Sequence, residues 1–308
     1  MNTQTDSLLP TFEPSEQDLV NRALAQPLEK KIARAIALLQ HWEPEALKLD
    51  PRGYWVADSF GKDSDCIVEL AKMAGVAHHC EHNLTTIDPP ELIWYGKRTR
   101  PGTHINRPKV PLLNYMVDHG KGPPTRLARW CCREYKEGGG NGSAKIIGVR
   151  IEESSRRASM WKEYVRNRRA AGFFLCAIAY WTEADVWAFH ELRGIPHCSL
   201  YDEKDSETGE RMFHRLGCVG CPLATANGQT KEFGRWPSYE RMWFNAVKKL
   251  YPCQRRMDGG KRWYQDFGSA QGLWDWWRSG VGQGDGPACQ GAELFSMHEL
   301  GDENANDE

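Results

Sequence analysis

From Leu28 to Trp42 the apolar residues Leu28, Ile32, Ala35, Ile36, Leu39 and Trp42 return every three or four positions, which predicts an amphipathic helix. The pattern then changes. Tyr54-Trp55-Val56-Ala57-Asp58 reads as a buried strand running into Ser59-Phe60-Gly61-Lys62-Asp63-Ser64, after which Ile67, Val68, Leu70 and Ala71 supply the apolar face of a helix. A second strand is expected within Val76–Thr86, and Asp88-Pro89-Pro90-Glu91 reads as a helix start, since proline suits the first turn and an acid suits the positive helix end. Residues 125–136 (TRLARWCCREYK) are predicted helical, 138–142 a flexible loop, 145–149 a strand, and Thr182–Asp185 a capping box before another helix. Strands alternating with helices imply an α/β fold: a doubly wound, mostly parallel sheet covered by helices on both faces. An N-terminal arm and helix (1–44) precede this α/β domain (45–225). A helical, tryptophan-rich C-terminal region (226–281) follows it. The last segment, 282–308, carries seven acids and no Lys or Arg and is expected to be disordered.

Composition narrows the function classes. At 308 residues and 40% hydrophobic content the chain can bury a sizeable core, and 40 Lys+Arg against 41 Asp+Glu exclude a globally basic nucleic-acid coat. There is no apolar run near 20 residues, so no membrane span is expected. The N-terminus lacks a basic flank followed by an apolar block, so no secretory signal is expected and the expected location is cytoplasmic. One stretch departs from neutrality: 121–169 has 13 Lys+Arg against five Glu, a face suited to a nucleotide polyphosphate or to DNA or tRNA.

Two constellations carry chemistry. In SFGKDS, Gly61 permits a tight turn, Ser59, Ser64 and the backbone amides opening the helix can hold phosphate oxygens, and Lys62 can neutralise them. Asp63 can orient a metal or cap the helix. An ordinary strand–helix turn would use the same residue types. Among ten cysteines, Cys131-Cys132 and Cys218-x-x-Cys221 are clustered. In a reducing compartment such clusters argue for metal rather than disulfides. An adjacent pair fits a zinc tetrahedron poorly, whereas four thiolates can hold a [4Fe–4S] cluster. Two buried cysteines beside an unrelated zinc knuckle is the bland alternative. Tryptophans such as Trp236, Trp243, Trp274, Trp276 and Trp277 read as core, with base stacking as the other option.

SFGKDSD (59–65), TTIDPPEL (85–92), PPTRLARWCC (123–132), GVRIEESSRR (148–157), WTEADVW (181–187), GIPHCSLYDE (194–203), GCVGCPLA (217–224) and RWPSYE (235–240) occur in the order of one known group. Together they resemble the phosphoadenosine phosphosulfate (PAPS) reductase family, of the adenine nucleotide alpha-hydrolase-like (PP-loop ATP pyrophosphatase) superfamily, in its iron–sulfur CC…CxxC form. The resemblance implies an enzyme binding an adenine nucleotide. Its cofactor-binding residues would be Ser59, Gly61, Lys62, Asp63, Ser64, Asp88, Arg150, Glu153, Ser154 and Arg157, and the cluster ligands Cys131, Cys132, Cys218 and Cys221. Arg150 and Arg157 (or Arg156) would contact phosphate or sulfate oxygens, with Glu153 and Ser154 positioning them or the ribose. Asp88 and Glu91 would bind Mg²⁺ or the ribose, although helix capping explains them nearly as well.

The departures from the family pattern bear on the reaction. The family's reductases resemble one another in a C-terminal Glu-Cys-Gly-(Ile/Leu)-His tail, absent here. The nearest thiol is Cys289 in PACQGAELF. The intact Lys62-Asp63-Ser64 set looks more like members that use ATP. The leading expectation is therefore ATP-dependent sulfur transfer to a nucleic acid or small molecule, as in DNA phosphorothioation, with ATP, Mg²⁺ and a donor such as a cysteine desulfurase; Lys62, Asp63 and Arg150 would be catalytic. The alternative is a sulfonucleotide reductase that forms sulfite through Cys289 or another thiol, with a thioredoxin-like reductant. A third reading is a non-catalytic, cluster-bearing nucleic-acid-binding subunit. A homodimer is expected by analogy with the family.

Overall fold

The computed structural model describes residues 15–167, 171–206, 208–252 and 263–280. Cys289 and the acidic segment 282–308 lie outside the described residues. Helix α1 (Glu16–Leu24) opens on a Ser15–Asp18 capping box, and α2 (Leu28–Leu49) buries the predicted stripe of Ile32, Ala35 and Leu39. Next come β1 (Tyr54–Ala57), α3 (Lys62–Ala74), β2 (His78–Asn83), α4 (Pro90–Thr99), β3 (His104–Asn106) and α5 (Leu112–Asp118). The second half supplies β4 (Ala144–Ile146), α6 (Ser155–Met160), β5 (Tyr164–Arg166), β6 (Phe173–Leu175) and α7 (Glu183–Arg193), the last opened by the expected Thr182–Asp185 capping box. Helices α8 (Ala226–Arg235), α9 (Pro237–Leu250) and α10 (Ala270–Ser279) follow.

The strand order is β3-β2-β1-β4-β6-β5, parallel except for β5 against β6. Val56 of β1 pairs with Cys80 on one side and Ile146 on the other. From β1 the chain winds outward one way through β2 and β3, then the other way through β4 and β6. The winding direction therefore reverses between β1 and β4, and the carboxyl ends of strands at such a switch point are where ligands bind in open α/β sheets.

Helices α2, α3 and α7 pack with the sheet into one core that includes Leu39, Val56, Ile67, Ile146 and Phe189. A second core joins Phe60, Leu92 and Met116 to Trp236, Trp243, Trp274 and Trp277. Trp243 and Trp277 are wholly buried, as the core reading of the tryptophans requires. Residues on either side of position 225 thus share one apolar interior.

Two expectations are corrected. Residues 125–129 are not helical: Thr125 N–H donates to Ala128 O, Ala128 N–H returns to Thr125 Oγ1 at 2.9 Å, and Trp130 Nε1 reaches back to Gly122 O at 3.1 Å. These local bonds spend the donors a helix would use, and a single π-helical turn, Cys132–Lys136, forms afterwards. The expected flexible loop is seated, with Gly139 and Gly140 packed on Trp55 and the Lys145 ammonium donating to Gly139 O.

Candidate nucleotide and sulfur site

The turn after β1 is shaped from within. Asp58 Oδ1 accepts Phe60 N–H at 3.0 Å, and the chain reverses at Phe60 with φ 61°. Left-handed backbone is unusual for a bulky residue and persists only where the surroundings enforce it. Here the Phe60 ring is wholly buried and stacked on His82 with centroids 4.3 Å apart. Ser64 Oγ donates to Gly61 O at 2.8 Å and lies 3.2 Å from Ser59 Oγ. The Tyr201 hydroxyl accepts Lys62 N–H at 3.2 Å, and His190 Nε2 meets Lys62 O at 2.8 Å.

Charge gathers at the start of α3. Lys62, only 3% exposed along its side chain, places Nζ 2.9 Å from Asp63 Oδ2. Arg150, from the loop after β4, donates from Nε to Asp63 Oδ1 at 2.6 Å and from Nη1 to Glu152 at 2.6 Å. The two loops touch because Gly148 lets the backbone pass: an added Cβ would lie 3.2 Å from the Asp63 carbonyl carbon. Burial works against the Asp63 charge, but Lys62 and Arg150 outweigh it and hold the carboxyl below its ordinary value. Glu153 takes Arg157, lies 4.0 Å from Arg150 Nε and is reached by Arg215 Nη1 at 3.3 Å. Four cations thus stand over Asp63, Glu152 and Glu153, an arrangement suited to a phosphate or sulfate ester.

The four clustered cysteines come from two separate loops. Cys131 and Cys132 share a hydrogen bond, and Cys131 lies within electrostatic reach of Cys218 and Cys221. The S–H donated by Cys131 holds the Cys132 thiol below its ordinary value, with Lys136 and Arg129 assisting. Burial pushes Cys218 up to about 11, and its thiol contacts Thr85 Oγ1 at 3.4 Å. The 218–221 turn is clamped by Val219 N–H to Ile87 O (2.8 Å), Gly220 N–H to Glu232 (2.7 Å) and Trp243 Nε1 to Val219 O (3.0 Å). Among the described residues, no three His, Cys, Asp or Glu groups are arranged to hold a single metal ion.

Ser59 and Gly61 on the turn after β1, Lys62, Asp63 and Ser64 in the first turn of α3, Arg150 and Glu153 after β4 and Arg157 on α6 are therefore brought to the switch point. Ser154 instead caps α6, its Oγ accepting Arg157 N–H at 3.2 Å. Asp88 is committed to its own turn, with Oδ2 accepting Thr85 N–H at 2.7 Å and its carbonyl taking the Tyr239 hydroxyl at 2.8 Å. Sequence reasoning missed Asp58, Tyr201, His190 and Arg215. Tyr201 lies within the quoted segment GIPHCSLYDE, but nothing local marks it as the partner of Lys62.

A doubly wound α/β fold with cations gathered at its switch point is the architecture of the PP-loop class. The sequence profile of the phosphoadenosine phosphosulfate reductase domain matches residues 53–224, more than half of the chain, and the chain belongs to that family. It is 22% identical over 144 residues to the adenosine 5′-phosphosulfate reductase of Oceanobacillus iheyensis, covering 45% of this chain and 56% of that protein. It is 24% identical over 196 residues to adenosine 5′-phosphosulfate reductase 2 of Bacillus subtilis, covering 60% and 79%. The chain spans 56%, 35% and 38% of the lengths of the first three curated relatives it matches. Among solved structures, PAPS reductase from Candida auris with phosphate aligns over 68% of this chain and 98% of its own at TM-score 0.42 and 13% identity. Among the described residues, no helix is long and apolar enough to cross a membrane.

Proposed function

We propose that this chain is a sulfonucleotide reductase, with the anionic end of adenosine 5′-phosphosulfate or its 3′-phosphorylated form held in the SFGKDS loop. The observation carrying this reading is the convergence of Lys62, Arg150 and Arg157 beside Asp63 and Glu153 at the switch point. The names of the relatives favour the reductase over the ATP-driven transfer expected from the loop motif. A thiolate would attack the sulfonyl sulfur, forming an S–S bond as the S–O bond to phosphate breaks. The nucleotide monophosphate leaves carrying that oxygen. A dithiol reductant of thioredoxin type then supplies two electrons, releasing sulfite and becoming a disulfide. Cys289 is the proposed nucleophile. Lys62 and Arg150 would neutralise the phosphate as the leaving group gains charge.

The sulfur-rich side fits a [4Fe–4S] cluster by donor chemistry. Cys131, Cys132, Cys218 and Cys221 supply four thiols, and Lys136 lies within reach of Cys132, Cys218 and Cys221 to offset thiolate charge. A cluster held there would supply a redox or electrostatic influence on the neighbouring sulfur species.

One observation favours a second reading, ATP-dependent sulfur transfer. Asp63 puts a carboxylate where an anion would sit, and a carboxylate beside a polyphosphate is best accommodated by an intervening Mg²⁺. Anaerobically purified protein should form sulfite from adenosine 5′-phosphosulfate with a dithiol. Pyrophosphate release from ATP without sulfite would establish the second reading instead. Neither product would refute both.

A further inference from the structure

A buried cluster behind the phosphate loop has no part in the chemistry above. Asp58 follows β1, Asp65 stands in the first turn of α3 and Arg100 closes α4; their side chains are 0%, 2% and 10% exposed. Arg100 Nη1 lies 3.1 Å from Asp58 Oδ1, its Nη2 lies against Asp65 Oδ1, and its guanidinium covers the Phe60 ring at 5.3 Å. Asp58 in turn holds Phe60 N–H through Oδ1 and accepts Thr103 Oγ1 at 2.8 Å through Oδ2. The Phe60 ring is pressed so close to Gly96 of α4 that an added Cβ there would lie 2.3 Å from it. Helix α4 thus grips the one left-handed residue of the loop.

Counting protons gives Asp65 a form the sequence does not suggest. Tyr95 has one hydroxyl proton and two oxygen neighbours, Pro196 O at 2.6 Å and Asp65 Oδ2 at 3.1 Å. The shorter contact, to a carbonyl that can only accept, takes the Tyr95 proton. Asp65 Oδ2 then meets the phenolic oxygen favourably only by carrying a proton itself. Charge agrees, because two carboxylates around one guanidinium would leave a buried uncompensated charge. The groups facing Asp65 are Asp58 and Arg100, Tyr95 on α4, Asp63 and Cys66 on α3, and Cys198 and Tyr201 from the segment after α7. Burial pushes its carboxyl up to about 8.

We propose that Arg100 is the positioning residue of the phosphate loop, binding Asp58 as an ion pair and Asp65 as a neutral carboxylic acid, so that Phe60 stays left-handed and Gly61–Asp63 face the nucleotide. The link to the nucleotide rests on the reading that this loop holds the nucleotide's anionic end; the arrangement of Arg100, Asp58 and Asp65 does not.

The test compares wild type with R100K, R100M, D58N and D65N, using calorimetric titration with ATP and with adenosine 5′-phosphosulfate. R100M and D58N should weaken binding by about tenfold to a hundredfold, the scale of a misplaced binding group, with R100K in between. D65N should bind within about threefold of wild type, because an amide can donate to Tyr95 and accept from Arg100 as the neutral acid does. Unchanged affinity in R100M would overturn the positioning role, and a D65N loss equal to that of D58N would overturn the neutral acid.

Two readouts need no nucleotide. Amide hydrogen exchange at Gly61–Ser64 should accelerate in R100M. The melting temperature of D65N relative to wild type should rise from pH 5 to pH 8, since the fold holds a proton that the unfolded chain has released. If wild type binds neither nucleotide, the site reading fails. Unchanged exchange or a flat melting difference would then overturn the proposal itself.

Discussion

Gly220 lies between the cysteines of GCVGC at φ 76°, and replacing it with alanine tests whether this turn is built to one shape. A Cβ there would lie 2.7 Å from Phe233 Cζ and 2.7 Å from Trp243 Nε1. Phe233 and Trp243 are 2% and 0% exposed, so neither ring can swing out to solvent. Left-handed backbone costs a non-glycine residue about 1–2 kcal/mol. Overpacking adds about 1–3 kcal/mol, and the disturbed bond from Trp243 Nε1 to Val219 O about 1 kcal/mol. Together G220A should lose about 3–6 kcal/mol, a fall in Tm of roughly 5–9 °C at about 2.1 cal/mol/K of unfolding entropy per residue. Gly75 is the internal control: at φ 68° it has nothing within 4 Å of an added Cβ, so G75A should cost only the backbone term. Thermal melts of wild type and both variants, purified anaerobically, separate the contributions. On the proposed cluster reading, iron content of the same samples should fall in G220A and not in G75A. A G220A variant no less stable than G75A would refute the packing account.

Lys62→Met removes the buried ammonium while leaving Arg150 on Asp63, and should weaken nucleotide binding by about tenfold to a hundredfold, the worth of a hydrogen bond to a charged group; calorimetric affinity equal to wild type would exclude Lys62 from the site. The Asp63 carboxyl is held below its ordinary value, so its contribution to stability is present above about pH 4 and disappears as the pH falls through the folded value. The acid limb of Tm against pH should accordingly be shallower in D63N than in wild type, and identical limbs would contradict the pairing with Lys62 and Arg150. Trp277 is wholly buried and its Nε1 donates to Pro124 O at 2.8 Å, so W277A should cost about 3–5 kcal/mol. Because that ring belongs to a core shared with α4 and α5, its unfolding should remain a single transition; a separate early melt would show the C-terminal helices to be independent.

The parts legible in the sequence are those set by neighbours along the chain. The apolar run of β1, the small residues of the turn and the stripe of α3 locate the phosphate loop. Thr182 and Asp185 announce the start of α7, and the apolar period of α2 survives the proline at position 44. What stayed hidden depends on partners far apart. Asp65 resembles an ordinary acid in a first helical turn, and only the fold brings it to Arg100 and Tyr95. Residues 125–129 have helical composition, yet Thr125 and Trp130 draw the chain into a local turn that propensity does not encode. Asp88 and Ser154 are polar residues beside a site whose hydrogen-bonding groups are spent on their own backbone, a distinction composition cannot make.

The C-terminal helices hold both cysteine loops by indole N–H groups, Trp277 to Pro124 ahead of Cys131 and Trp243 to Val219 between Cys218 and Cys221. The two thiol pairs are therefore fixed in place only after the last of these helices has been made. At about 5–20 residues per second, Cys132 is synthesised roughly 7–30 s before Trp277. During that interval the first pair stands on an unfinished chain, open to oxidation. Yield of the intact protein should depend on the redox state in which translation occurs as well as on the stability of the finished fold.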